Sequence, residues 1–363
     1  MKSQFEKHPH LTLLTIFFCF LLILDILLGY IFIKSPIRVF HPYYHHSLLP
    51  KSSYTEVWGD CEYVIRTNSL GFKDRSNRII LRNNGKYRIL FLGDSFVEGV
   101  GIEYKDTFSG IIANQLDNEY FDILNAGVIS YSPKLCYLKL KYLIDAKDIN
   151  IDKLILFVDV SDVQDEIIYE NFHEDLWWWW EDERFFSTFV FFKNHSFLVN
   201  KLSWLLFNSK RLLSFGFSKA GIAYKWDSKG SYDAERPRWG NAKNYDHWGK
   251  KGFELASKNI LEISELSKKH KFDFLMVIYP WPQHFRNNSG PYFHEARWVD
   301  FAKENGINII NLFPSFLKDK ESSLKEFFIE GDIHWNKKGH ELVASELMGY
   351  ALRCNKNTKN SLF

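Results

Sequence analysis

Arg88-Ile-Leu-Phe-Leu-Gly-Asp-Ser-Phe-Val-Glu-Gly-Val-Gly101 is the stretch whose reading decides the fold. Ile89 to Leu92 carries no polar side chain, which suits a parallel strand buried on both faces, and Gly93 lets the backbone turn tightly before a new element starts at Phe96. Ser95 then lies at the carboxyl end of a strand, where open α/β sheets hold their ligands. A serine after a strand more often caps a helix than does chemistry, so a nucleophile here needs a base from elsewhere in the chain.

Outward from this stretch the chain alternates strands and helices. Strands are expected at Tyr87 to Gly93, Phe121 to Gly127, Lys153 to Val160, Asp273 to Tyr279 and Ile307 to Phe313. Helices are expected at Thr107 to Leu116, Leu135 to Ala146, Phe253 to His270, Glu295 to Asn305 and Gly339 to Arg353. This βαβαβαβαβα order with right-handed crossovers is a flavodoxin-like doubly wound parallel sheet. Ser95, Gly127, Ser161 and His334 all fall at strand C-termini or on the loops just beyond, so the fold can gather them on one edge of the sheet.

A base is available near the other end, in Glu330-Gly-Asp-Ile-His-Trp-Asn-Lys-Lys-Gly-His340. A serine hydroxyl is a weak nucleophile until an imidazole takes its proton, and the imidazole works better when a carboxylate fixes its tautomer. Asp332 and His334 supply those two groups. The same pair also suits a loop histidine bonded to its neighbour, or two ligands of an unsaturated metal site.

Gly93-Asp94-Ser95 and Asp332-Ile-His334 resemble the first and last blocks of the SGNH (GDSL-type) hydrolase family, over roughly Asn68 to Leu352. The resemblance implies Ser95 as nucleophile, with Asp332 and His334 completing a triad, and no cofactor or metal. It also implies an oxyanion hole built from the Ser95 amide, the Gly127 amide in Leu124-Asn-Ala-Gly-Val128, and a third donor after the third strand. There the family shows Gly-x-Asn-Asp and this chain has Asp159-Val-Ser-Asp162, which puts Ser161, a shorter side chain with one proton to donate, in the asparagine's place. The last block departs too. The family's Asp stands three residues before His, which here is Gly331, so the orienting carboxylate is Asp332 or, second, Glu330. The Asp-x-His-Trp-Asn form is similar to one in SGNH-like O-acetyltransferases of bacterial exopolysaccharide systems, which keeps acyl transfer open as the reaction.

Not all 363 residues belong to the sheet. The run Leu11 to Ile33 has Asp25 as its only charge and, at about 1.5 Å per residue, reaches across a bilayer core of roughly 30 Å. It is longer than a signal-peptide core and no small-x-small cleavage site follows it, so residues 1–34 are read as an uncleaved transmembrane anchor. Two readings of Asp25 stay open: it faces a partner membrane protein, or the isolated helix shifts depth to tolerate it. Lys2 and Lys7 on one side match Lys34 and Arg38 on the other, so charge leaves the orientation unset. The resemblance implies a catalytic domain outside the cytoplasm, as in membrane-anchored SGNH proteins of bacterial envelopes.

Residues 35–85 are read as a linker and sheet-edge segment, 86–354 as the hydrolase-like domain and 355–363 as a tail. The connection 164–250 is far longer than an ordinary βα loop and is rich in aromatics, including Trp177-Trp-Trp-Trp180, Trp226, Trp239 and Trp248. It is expected to overhang the site, with Trp281 and Trp335 as further candidates for substrate contact. His247, His284 and His340 lack matching acids and are read as surface or packing residues.

A net charge of +2 with lysines and arginines dispersed and nearly balanced by acids does not point to nucleic acid, so no nucleic-acid partner is expected, and four unpaired-looking cysteines give no disulfide framework. The expected function is a serine esterase acting on acyl, chiefly O-acetyl, esters of a small molecule or a cell-envelope carbohydrate. The alternatives are an O-acyltransferase using the same triad and a non-catalytic binding module beside a membrane partner.

Overall fold

The computed structural model describes residues 8–32, 37–41, 43–172, 188, 192, 195–202, 239, 245–286, 292–318 and 320–351. The chain divides into two compact units, Met1–Pro36 with Leu176–Tyr224, and Ile37–Asp175 with Lys225–Phe363.

In the first unit Pro9–Phe32 (α1) is a single helix, long and apolar enough to cross a membrane. Its apolar side chains point outward, Phe17 being 57% and Tyr30 88% exposed. The hydroxyls of Thr12 and Thr15 return to helix carbonyls four residues back, which removes two donors from the surface. Asp25 meets a group of its own chain: its Oδ1 accepts the Leu198 N–H at 2.8 Å. One turn on, a Cβ at Gly29 would lie 1.9 Å from the His195 carbonyl oxygen, so only glycine admits that segment so close.

The second unit begins with two antiparallel ribbons, Arg38–His41 (β1) with His45–Leu48 (β2), and Ser53–Trp58 (β3) with Cys61–Arg66 (β4). The segment read as a linker and sheet-edge piece therefore contains four short strands. Its strands are short and carry histidine, serine and glutamate among the apolar residues, so no clear period marks them.

The main sheet has five parallel strands, Tyr87–Leu92 (β5), Phe121–Asn125 (β6), Lys153–Val158 (β7), Asp273–Ile278 (β8) and Asn308–Asn311 (β9), in the order β6-β5-β7-β8-β9. This is the flavodoxin-like order that the alternation predicts. Each expected strand is present but stops one or two residues sooner, and β9 starts one residue later, because Gly93, Gly127 and Val160 already belong to the turns that leave the sheet. Between and after the strands run Ser95–Glu98 (α2), Phe108–Gln115 (α3), Pro133–Asp145 (α4), Asp162–Tyr169 (α5), Lys250–His270 (α6), Gln283–Arg286 (α7), Phe293–Glu304 (α8), Phe313–Phe316 (α9), Lys320–Phe327 (α10) and Lys337–Ala351 (α11). Helix α3 packs with α11, and α4 with α5 and α6. Right-handed crossovers place these two groups on opposite faces, which is why Ile89 to Leu92 of β5 and Leu154 to Val158 of β7 are apolar without interruption and buried.

Of the long connection, α5, Trp239 and residues 245–250 belong to this unit. Trp239 is fully buried and its indole donates to the Val160 carbonyl at 2.6 Å. Trp177 to Trp180 and Trp226 lie outside the described residues, as does the side chain of His247.

Candidate active site

Strand β5 ends at Leu92 and the chain enters α2 through Gly93-Asp94. A Cβ at Gly93 would lie 2.6 Å from Val97 Cγ2 and 3.0 Å from Phe157 Cβ, so glycine is what allows the strand to turn against β7. Asp94 caps α2 by accepting the Phe96 N–H at 2.9 Å, and Gly99 ends it in the left-handed region. Ser95 is the first residue of this one-turn helix and its N–H belongs to the set that no intrahelical carbonyl reaches.

The loop after α10 brings the base. Phe328 bridges Trp335, the Ile329 N–H donates to the His334 carbonyl at 2.9 Å, and Asn336 caps α11 by accepting the Gly339 N–H. Gly331, at φ 73°, makes the turn in between. His334 Nε2 accepts the Ser95 hydroxyl proton at 2.7 Å, and its Nδ1–H donates to Asp332 Oδ1 at 2.5 Å. The same Oδ1 also accepts the His334 backbone N–H at 2.8 Å. Ser95 and His334, 239 residues apart in sequence, thus meet in one hydrogen-bonded line with Asp332. Burial pushes the Asp332 carboxyl up, but the bonds and charge of His334 outweigh it and hold the group below the usual carboxylate range. Glu330 is exposed at the surface, so the carboxylate facing His334 is Asp332.

The donors named for the oxyanion are placed less simply. A Cβ at Gly127 would lie 2.6 Å from the Glu98 N and from Val97 Cβ, so the glycine presses directly on α2. Its N–H donates to Asn125 Oδ1 at 3.2 Å. Asn125 in turn donates to the Val97 carbonyl, which ties the end of β6 to the helix that carries Ser95. The Ser161 hydroxyl does not stand in for the asparagine amide: it is 1% exposed and donates to Asp159 Oδ1 at 2.8 Å. Asp159, at the glycine position of the third block, gathers the Ser161 and Asp162 N–H groups on Oδ1 and the Trp281 indole N–H, at 2.6 Å, on Oδ2. A carboxylate with that many donors around it captures the nearest hydroxyl as well.

Trp281 and Trp335 offer no face to a substrate. Trp281 is 2% exposed and spent on Asp159, and Trp335 is fully buried between Phe316, Tyr279 and Phe96. Their apolar area stabilises the core instead. His284 and His340 pack inside: His284 Nδ1 accepts the Trp281 N–H and His340 Nδ1 accepts the Phe108 N–H. Among the described residues no group of three or more His, Cys, Asp or Glu could hold a metal ion.

The N-terminal ribbons reach this site, which no sequence signal announced. Arg38 pairs with Glu98 of α2 and with Glu56 of β3. Glu98, wholly buried, accepts the Ile129 N–H at 2.8 Å, and His46 Nε2 donates to the Ile129 carbonyl at 2.7 Å. The loop holding Gly127 is thus braced from both sides. Trp58 donates to Asp332 Oδ2 at 2.9 Å.

No family model matches the sequence, and no curated protein does. Among solved structures the chain is similar to a member of the lipolytic protein G-D-S-L family from Veillonella parvula, at 12% identity and TM-score 0.42, covering 74% of this chain and 99% of that one. It is also similar to a GDSL-like lipase from Bacteroides thetaiotaomicron, at 12% identity and TM-score 0.38 over 75% and 93% of the two chains. A third, an acetyl xylan esterase, aligns at 13% identity and TM-score 0.40 over 73% and 99%.

Proposed function

We propose that this chain is a serine hydrolase acting on carboxylic esters. The observation that carries the reading is the continuous line from Ser95 Oγ through His334 to Asp332, at 2.7 and 2.5 Å, on the C-terminal edge of a parallel sheet. His334 Nε2 takes the Ser95 proton as Oγ bonds to the acyl carbon. Asp332 holds the Nδ1–H and steadies the imidazolium that forms. The Ser95 N–H meets the oxyanion, joined by the Gly127 N–H when it leaves Asn125. His334 then returns the proton to the departing alkoxide, leaving an acyl-Ser95 ester. A water deprotonated by the same ring releases the acid and restores Ser95.

Because Ser161 is engaged by Asp159, the oxyanion rests on backbone donors, and the lack of a side-chain donor costs on the order of 10²–10³ in rate. A slow turnover with complete covalent labelling is the expected behaviour. Within the ester class, an O-acetylated envelope carbohydrate is the first natural substrate to try, on the strength of the sequence resemblance. The same resemblance supports a catalytic unit outside the cytoplasm, which a membrane-impermeant protease applied to intact cells checks.

The test is intact mass of the full chain in detergent after incubation with a fluorophosphonate, beside turnover of p-nitrophenyl acetate. One adduct is expected on the wild type and none on Ser95→Ala, with kcat/KM lowered at least about 10³-fold in Ser95→Ala and His334→Ala. A folded wild type that gains no adduct overturns the reading. Added sugar acceptors separate the alternatives: hydrolysis gives free acetate, transfer gives acetylated sugar.

A further inference from the structure

The Asp332 carboxylate has two oxygens, and they are used differently. Oδ1 takes both bonds from His334, while Oδ2 takes the indole N–H of Trp58, a residue 274 positions earlier in the chain. Trp58 closes β3 opposite Cys61, with Gly59 in the left-handed region making the turn. Its ring stands perpendicular to the His334 ring, centroids 5.2 Å apart. The ribbon behind it is fixed to the body of the unit, since Glu56 pairs with Arg38 and accepts the Tyr63 hydroxyl at 2.5 Å.

This second partner matters because Asp332 stands only two residues before His334, in a loop that turns at Gly331. Backbone geometry places the carboxyl group near the ring, but a carboxylate turns freely about its terminal bond unless both oxygens are engaged. We propose that Trp58 is a positioning residue of the triad, its N–H holding the Asp332 carboxylate in the plane in which Oδ1 receives the His334 Nδ1–H. The proposal rests on the ester-hydrolase reading for its kinetic consequences and on the geometry alone for its structural one.

Trp58→Phe keeps the ring and removes only the donor. In the full chain, kcat for p-nitrophenyl acetate is expected to fall about tenfold with KM changed less than about twofold, as for loss of one charge-assisted hydrogen bond that orients a catalytic group. In an Asp332→Ala background the same substitution is expected to change nothing further, since there is no carboxylate left to hold. An unchanged kcat in Trp58→Phe, or an equal loss with and without Asp332, overturns the proposal.

A second measurement does not need turnover. The His334 Nδ1–H proton resonance, followed by NMR on histidine-labelled full chain in detergent, is expected to shift in Trp58→Phe as its bond to Asp332 changes, and an unmoved resonance overturns the proposal. A wild type that reacts with neither fluorophosphonate nor ester would defeat the hydrolase reading, while the Nδ1–H resonance would still decide whether Trp58 holds Asp332. Thermal melts of both chains establish that each is folded.

Discussion

Gly127 is held to glycine by contact. Any β-carbon there lies 2.6 Å from the Glu98 backbone N, which no rotamer change can relieve. Gly127→Ala is therefore expected to push α2 and its Ser95 away from His334. Overpacking of this kind costs about 1–3 kcal/mol, so a lower Tm with a larger loss of fluorophosphonate labelling rate is expected. A variant that labels at the wild-type rate would show that α2 has room to move. The neighbouring Asp159 and Ser161 show the opposite lesson at the same scale. Replacing a family glycine by a carboxylate gives the loop after β7 its own acceptor, and the hydroxyl that sequence position offered to substrate turns inward to it.

Among the elements, the two N-terminal ribbons have the most to explain, since they lie outside the sheet and yet contact three parts of the site. Their hold runs through Arg38, whose partner Glu98 is wholly buried. Arg38→Ala removes that carboxylate's ion pair and leaves it the Ile129 N–H and the nearby charge of Lys73, and removing one member of a buried pair costs about 3 kcal/mol. A clear fall in Tm is expected, with recovery in the Arg38→Met/Glu98→Gln double variant, which removes the stranded charge. Equal melting of Arg38→Ala and wild type would show that the ribbons are tethered elsewhere. In helix α1, Asp25, costly in an apolar helix, accepts a backbone N–H from residue 198 of the same chain.

Across the whole molecule, buried ionisable groups set how stability responds to pH. Burial pushes His284 down to about 4 and His340 to about 3, against about 6.5 in an unfolded chain. Between those values the folded state binds fewer protons than the unfolded one, so this part of the stability is present above about pH 6.5 and lost as pH falls. His340→Gln, whose amide oxygen can keep the Phe108 N–H, is expected to gain Tm relative to wild type as pH drops from 7 to 5. The carboxyls of Asp94 and Asp162 behave in the opposite sense. Burial, with the charge of Asp159 beside them, pushes both well up, so they keep protons that the unfolded chain releases above about pH 4. Their contribution is lost as pH rises. Asp162→Asn, which can still accept the Asp159 N–H, is expected to gain Tm relative to wild type as pH rises from 5 to 8. Either difference staying flat with pH would show that the group titrates as it does in the unfolded chain.

The sequence by itself determined the sheet. Apolar runs as uniform as Ile89 to Leu92 can only be satisfied by helices on both faces, and the alternation of strand and helix then leaves few chain paths. It also determined which loops face the same edge, because parallel strands all present their C-termini there. The tertiary structure alone decided what those loops do on arrival. That the Ser161 hydroxyl goes to Asp159, that Trp281 and Trp335 are interior, and that Trp58 reaches Asp332 are outcomes of distances between residues far apart in the chain. A hydrogen bond depends on tenths of an ångström and on which competing acceptor is nearer, and periodicity and composition carry no information at that length scale.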